Sequence, residues 1–280
     1  MALPIWVNKI EEKCPPINGV INLGRRASML PEYCRFMCNR FQRRHGATQE
    51  QYSKLKKLKD RYKGQRCFII ATGPSLTIDD LELLKNEYTF AVNSACKLYD
   101  KTSWRPTFYG IQDRYVFQAM KEYVFNQDEN ITLFIADILQ EYESIPSRSI
   151  LFPYNVAYHY INFRKYNSWY AKFSGDSYDT VYDGYSITYS MIEIAVYLGF
   201  SEIYLIGADC SYGTGKNHIV ESGFVDKKAY LNHERMTAGY KAAKEYADAN
   251  NIKIVNCTRG GMLEVFPRMQ LEDVLKEKKR

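Results

Sequence analysis

The spacing of apolar and polar positions changes character once along the chain. Before residue 66, apolar residues recur at helix-like intervals among arginines and lysines. Leu30 to Phe41 reads as one amphipathic helix, and Gln49 to Tyr62, with Leu55 and Leu58 among lysines, as a second. From Arg66 onward, short apolar runs alternate with longer helical periods. Cys67–Ala71, Thr89–Val92, Thr107–Ile111, Ile131–Ala136, Glu202–Ile206 and Ile252–Val255 are expected as strands, and Ser186–Leu198 and Glu234–Asn250 as long helices. The alternation predicts an α/β fold, a Rossmann-like, mostly parallel sheet with helices on both faces. A helical extension over residues 1–63 is expected to precede an α/β domain over 64–280. The tyrosine-rich stretch from Ser144 to Asp183 is expected to be irregular and to shape an acceptor pocket. Residues 210–232 follow a strand directly, contain three glycines and are expected to form a lid.

Charge sharpens this division. Residues 1–66 hold 15 Lys or Arg against 5 Asp or Glu, a local balance of +10, so the remainder of a chain of net charge +6 is at −4. A basic arm on a mildly acidic body points to an anionic contact, either membrane head groups at the inner face of a membrane or a polyanionic substrate; a solvated helical extension explains the same charge. The amphipathic arm helices could pack on the body, form a subunit interface in a homo-oligomer, or lie on a membrane. Nucleic acid is not among the expected partners.

At 280 residues the chain can bury a full core without staples. Its 7 cysteines, odd in number and without CxxC spacing, fit neither a disulfide framework nor a tetrahedral zinc site. A cytoplasmic protein with no metal and no cofactor is expected. No run approaches the roughly 20 apolar residues of a membrane span, and the first residues lack the basic start and apolar run of an export signal.

Six segments carry candidate chemistry. The strand ending in Thr72-Gly73-Pro74-Ser75-Leu76 is followed by Thr77 and a helix; glycine there lets a backbone approach a ligand, and the N–H groups opening a helix favour an anion. It is neither a Walker loop nor GxGxxG, and a β-to-α turn capped by Ser75 or Thr77 fits it equally. Asn93 ends a second strand, and Gln112 and Asp113 end a third, where ligands of open α/β sheets gather; Asn93 could equally be a turn former. Ser186 and Thr188 precede a long apolar helix, a position for an N-cap and compatible with phosphate contact. Gly207-Ala208-Asp209 end another strand. His233 opens the last long helix, where an imidazole can accept a proton near neutral pH; a structural or solvent-exposed histidine is the other reading.

Taken in order, these segments resemble two related groups, the bacterial lipo-oligosaccharide sialyltransferases that use CMP-sialic acid and the 6-hydroxymethylpterin diphosphokinase-like family. The similarity spans about Arg66 to Val265 and is carried by Gly73-Pro74-Ser75-Leu76, by Leu198 to Asp209, and by His233 before its helix. Where the sialyltransferases have Gly-Asn-Gly-Pro-Ser-Leu, this chain has Ala71-Thr72 in place of the first two residues. The resemblance implies nucleotide contacts from Thr72, Gly73, Pro74, Ser75, Asn93, Gln112 or Asp113, Ser186, Thr188 and Asp209. It implies lid donors to the departing phosphate at Tyr212, shifted by one residue, and at His218, which replaces a tyrosine. His233 matches the catalytic base. The implied reaction is a metal-independent, inverting transfer from a CMP-sugar donor to a glycan or glycolipid acceptor, as in lipopolysaccharide biosynthesis. Pyrophosphoryl transfer from ATP to a hydroxymethylpterin is the alternative, with Asp113, Asp183 and Asp209 as candidate Mg²⁺ ligands; a non-catalytic nucleotide-binding protein is a third.

Overall fold

The computed structural model describes residues 15–46, 50–159, 161, 169–211, 218–223 and 231–277. Seven strands form one parallel sheet: β1 (Arg66–Ile70), β2 (Thr89–Val92), β3 (Phe108–Ile111), β4 (Thr132–Ala136), β5 (Ile150–Phe152), β8 (Glu202–Ile206) and β9 (Lys253–Asn256). Their spatial order is β5-β4-β3-β2-β1-β8-β9, with every pair parallel. A separate parallel pair joins β6 (Tyr154–Asn155) and β7 (Val181–Tyr182). The helices flanking the sheet include α3 (Ile78–Leu83), α4 (Arg114–Phe125), α5 (Ile187–Tyr197), α6 (Asn232–Ala249) and α7 (Leu271–Glu277). Two more, α1 (Pro15–Arg44) and α2 (Ser53–Lys56), precede it. No helix among the described residues is long and apolar enough to cross a membrane.

The central strands are buried along their whole length, as continuous apolar runs must be when helices cover both sides of a sheet. Phe90 and Phe108 stack at 4.4 Å on neighbouring strands, and Phe134 and Phe200 extend the cluster. Gly110 lets α5 come close to the sheet, because a Cβ there would stand 2.3 Å from the Met191 sulfur.

The tyrosine-rich stretch departs from expectation. It contributes β5 to the sheet edge and both strands of the small pair. Strands of two or three residues are too short to show a period, so only their partners reveal them. Gln49 to Tyr62 also differs: a short 3-10 turn and α2 are followed by non-helical turns. Here Asp60, Tyr62 and Gly64 donate their backbone N–H groups to the carbonyls of Tyr197, Leu198 and Gly199 at 3.1, 2.8 and 3.1 Å. Tertiary partners have taken the hydrogen bonds that a continued helix would use. Tyr52 and Leu55 enter the same core as the sheet.

The last turns of α1 dock on the body through arginines. Arg40 and Arg44 both grip Asp179, at 2.6 and 2.7 Å. The Arg43 guanidinium is buried over the Phe36 and Tyr52 rings and donates to the Asp179 carbonyl at 2.9 Å. Burial pushes its pKa down. Two of the arm's positive charges are thereby committed to one carboxylate of the body and a third is buried.

Candidate active site

From β1 the chain proceeds through β2 to β5 on one side, and from β8 it proceeds to β9 on the other. The crevice beyond the carboxyl ends of β1 and β8 is therefore a topological switch point, where open α/β sheets hold ligands. A narrow cleft opens there, floored by Thr72 and Gly73 after β1 and by Gly207, Ala208 and Asp209 after β8. Asn93 after β2, Ser186 and Thr188 at the start of α5, and His218 complete much of its wall.

Two glycines make this crossing possible. Gly73 N–H donates to the Gly207 carbonyl at 2.8 Å, and a Cβ on Gly73 would lie 1.9 Å from Asp209 Oδ2 and 2.4 Å from that carbonyl. Gly207 adopts φ +66, and a Cβ on it would stand 2.7 Å from the Ala71 carbonyl. The Asp209 carboxylate lies against Gly73 and accepts from Ser75 Oγ at 2.7 Å. Ser75 is thus not a helix cap. Thr77 caps α3, in a capping box with Asp80, whose carboxylate also holds Arg259 at 2.6 Å. The N-terminus of α3 is consequently filled by its own acid. The helix whose N-terminus faces the cleft is α5: Ser186 Oγ accepts from Thr188 N–H at 3.2 Å, and no acidic residue occupies its first turn. Its positive dipole end is left available to an anion.

Among the described residues five non-glycine positions have positive φ; Asn93 at +47 and Cys210 at +53 line this cleft, and Tyr185 at +66 immediately precedes its Ser186. Such conformations cost about 1–3 kcal/mol each and cluster where a backbone is shaped for function. Asn93 is held by its own carbonyl, which accepts from Tyr109 Oη at 2.6 Å, while its side-chain Oδ1 is buried without a hydrogen-bond partner among the described residues.

His233 lies in the first turn of α6, on the same stripe as Met236 and Tyr240, which line the cleft. Its Nδ1 is 3.2 Å from the Cys210 carbonyl. A carbonyl only accepts, so Nδ1 carries the proton of that bond and Nε2 is left as the basic nitrogen of the neutral ring. The Cys210 thiol is pushed up to about 12 by burial and then by the neighbouring Asp209 carboxylate, so it is protonated at neutral pH and is no nucleophile.

The described part of the expected lid is stitched across the ends of β1 and β2. Ile219 N–H donates to the Thr72 carbonyl at 2.8 Å, Ser94 Oγ to the Val220 carbonyl at 2.6 Å and Lys97 Nζ to the Glu221 carbonyl at 2.9 Å. His218 Nδ1 and Thr72 Oγ1 are 3.1 Å apart. Two of the positions where the chain departs from the sialyltransferase pattern, Thr72 and His218, are thus in direct contact. Tyr212 lies outside the described residues.

The cleft therefore gathers Thr72, Gly73, Asn93, Ser186, Thr188, Asp209 and His218, with Ser75 and His233 beside it. Pro74 is exposed in the turn. Gln112 and Asp113 are not brought to it. Asp113 caps α4, accepting from the N–H groups of Tyr115 and Val116 at 2.8 and 2.9 Å, and Gln112 is buried with no hydrogen-bond partner for its Oε1. Sequence reasoning missed the Cys210 carbonyl, Met236 and Tyr240. The last two were within reach, since they follow His233 on one face at helical spacing; the Cys210 carbonyl left no trace in residue types. Among the described residues no three or more His, Cys, Asp or Glu side chains are grouped to hold a metal ion.

Fold and cleft define a class, a Rossmann-like parallel α/β protein with a ligand crevice at its switch point. The chain belongs to the 6-hydroxymethylpterin diphosphokinase MptE-like family, whose model matches residues 41–215. That span holds β1 to β8 and the cleft residues from Thr72 to Asp209, and stops short of His218 and α6. No curated protein matches the chain. Among solved structures it is similar to the MAf glycosyltransferase of Magnetospirillum magneticum AMB-1, at 17% identity and TM-score 0.43 over 82% of this chain and 40% of that one. It therefore spans well under half of MAf. It is also similar to the sialyltransferase CstII of Campylobacter jejuni, whose structure holds a substrate analogue, cytidine-5'-monophosphate, at 17% identity and TM-score 0.43 over 74% of this chain and 85% of that one.

Proposed function

We propose that the cleft binds the nucleotide of a CMP-sugar and that the protein transfers the sugar, with inversion, to a glycan or glycolipid hydroxyl. The observation that carries this reading is His233, whose Nδ1–H is committed to the Cys210 carbonyl at 3.2 Å, leaving Nε2 to take a proton beside a cleft that faces the N-terminus of α5. The acceptor hydroxyl oxygen attacks the anomeric carbon as its proton passes to His233 Nε2, and the bond from that carbon to the phosphate oxygen breaks. Charge growing on the departing phosphate is stabilised by the α5 N-terminus, by the Ser186 and Thr188 hydroxyls and by His218. Asn93 Oδ1, buried and unbonded, is available to a donor on the base or ribose.

Family membership favours a second reading, pyrophosphoryl transfer from ATP to a hydroxymethylpterin. It needs carboxylates gathered around Mg²⁺. Asp113 caps α4, Asp183 accepts from Tyr185 N–H at 2.7 Å and Asp209 from Ser75, so each already serves a local donor and the three do not form one shared set. Incubation with CMP-sialic acid and a galactoside distinguishes the readings. Transfer, or slow donor hydrolysis, that is lost in His233→Ala is expected. Absence of both sinks the first reading, and Mg²⁺-dependent AMP release with hydroxymethylpterin establishes the second. Thermal stabilisation by CMP with no turnover of either kind would mark a binding protein.

A further inference from the structure

Among the described side chains of helix α1 there are two apolar faces, one covered by the body and one exposed. Phe36 and Arg43 are buried on the side that meets the body. About a third of a turn away, Leu23, Ala27, Leu30, Cys34, Met37 and Phe41 are all exposed, with Leu23 at 59%, Leu30 at 51% and Phe41 at 63%. Their spacing alternates four and three residues without a break, which is the seam of a helix pair. We propose that this seam is a dimer interface, in which α1 of one copy of the chain packs antiparallel against α1 of a second copy.

Self-pairing is favoured by the order of sizes along the stripe. A two-fold axis beside Glu32 sets Leu23 against Phe41, Ala27 against Met37 and Leu30 against Cys34. Small thus meets large at two of the three layers, and the spacing of four, three, four, three and four residues reads the same from either end, so the layers of an isologous pair come into register. Gly24, Ser28, Pro31 and Cys38, exposed along one flank, are small enough to let the two helix axes approach. The seam from Leu23 to Phe41 is about 27 Å long at the helical rise.

Charge separates this partner from a lipid surface. An interfacial helix needs free Lys or Arg beside its apolar face to meet anionic head groups. Over residues 32–44 of α1, Arg40 and Arg44 hold Asp179, Arg43 is buried, and Arg35 is paired with Glu32 and with Glu141; nearer the start of the helix, Arg26 is half-buried. The stripe itself is uncharged, so no charged side chain of one copy's stripe is set against one of the other's.

The full chain is expected to have a dimeric mass in light scattering at micromolar concentration. Leu30→Glu and Met37→Glu, both at exposed positions, should each halve that mass while leaving the circular dichroism spectrum unchanged. Leu30→Cys, oxidised with diamide, should yield a covalent dimer linked from position 30 to Cys34, as mapped by peptide mass spectrometry. A monomeric wild type, or a dimer that survives both glutamates, overturns the proposal. So does preferential wild-type crosslinking between two Cys34 residues, which requires parallel helices or an axis other than the one beside Glu32. A monomer that floats with phosphatidylserine vesicles and loses that binding in Met37→Glu overturns it in favour of a membrane.

Discussion

Gly73→Ala tests the geometry of the cleft floor most directly. The added Cβ would stand 1.9 Å from Asp209 Oδ2 and 2.4 Å from the Gly207 carbonyl oxygen. The carboxylate can swing away; the carbonyl belongs to the backbone at the end of β8 and cannot. Forcing a methyl group into a packed site costs about 1–3 kcal/mol. Separating Gly73 N–H from the Gly207 carbonyl loses about 1 kcal/mol, and drawing Asp209 from Ser75 a further 1 kcal/mol or so. The expected loss is about 3–5 kcal/mol, less than the stability of a typical domain, so the variant should fold and melt about 8–15 °C below wild type. Thermal unfolding with and without CMP reads both consequences: the lower midpoint and the loss of stabilisation by ligand. Ser75→Ala serves as the comparison, because it removes one hydrogen bond without adding an atom, and should lower the midpoint by only a few degrees. A Gly73→Ala protein that melts within about 2 °C of wild type and retains its CMP response would refute the close approach of β1 and β8 on which the site is built.

Other expectations follow from particular contacts. His233→Gln can keep a hydrogen bond to the Cys210 carbonyl but has no base, so transfer should fall by about 10²–10⁴-fold with CMP-induced stabilisation intact; equal loss of binding would show that His233 holds the donor. Burial works to raise the Asp179 carboxyl, but hydrogen bonds from Arg40 and Arg44 outweigh it and hold the pKa below the ordinary value. Its contribution is therefore present above the pKa of unfolded aspartate and fades as pH falls through the folded value. Asp179→Ala should cost about 2 kcal/mol, under the full cost of a buried pair because Arg44 is exposed, and should expose α1 to limited proteolysis; unchanged digestion would place the docking elsewhere. The Glu193 carboxyl, wholly buried on α5 and accepting from Ser174 and Tyr182 N–H groups at 2.5 and 2.8 Å, is pushed well above its usual pKa by burial. Its contribution is full below the pKa of unfolded glutamate and declines as pH rises toward the folded value. Urea midpoints at several pH values should show this slope in wild type and not in Glu193→Gln; parallel slopes would refute it.

What could be read from the chain alone was whatever is encoded over a few neighbouring residues. Thr89–Val92 and Glu202–Ile206 were legible as strands because their apolar runs match strands buried on both faces. α5 was legible from Ser186 and the apolar helix behind it. Capping, period and turn chemistry act over one to four residues, so they survive in sequence. The pattern of small glycines and polar strand ends also named most of the cleft, including Thr72, Asn93, Ser186, Thr188 and Asp209. Tertiary structure decided the rest, because it depended on partners far apart in the chain. Ser75 serves Asp209, 134 residues away, and not its own helix. Asp113 stays exposed and caps α4 while Asp209 was drawn to the cleft, a difference that strand-end position alone could not make. The segment after α2 gave up its helix because carbonyls at Tyr197–Gly199 offered better-placed acceptors. Arg40 and Arg44, part of a positive field when counted along the chain, became ion pairs once Asp179 was folded against them, since a charge's reach is set by its distance in space.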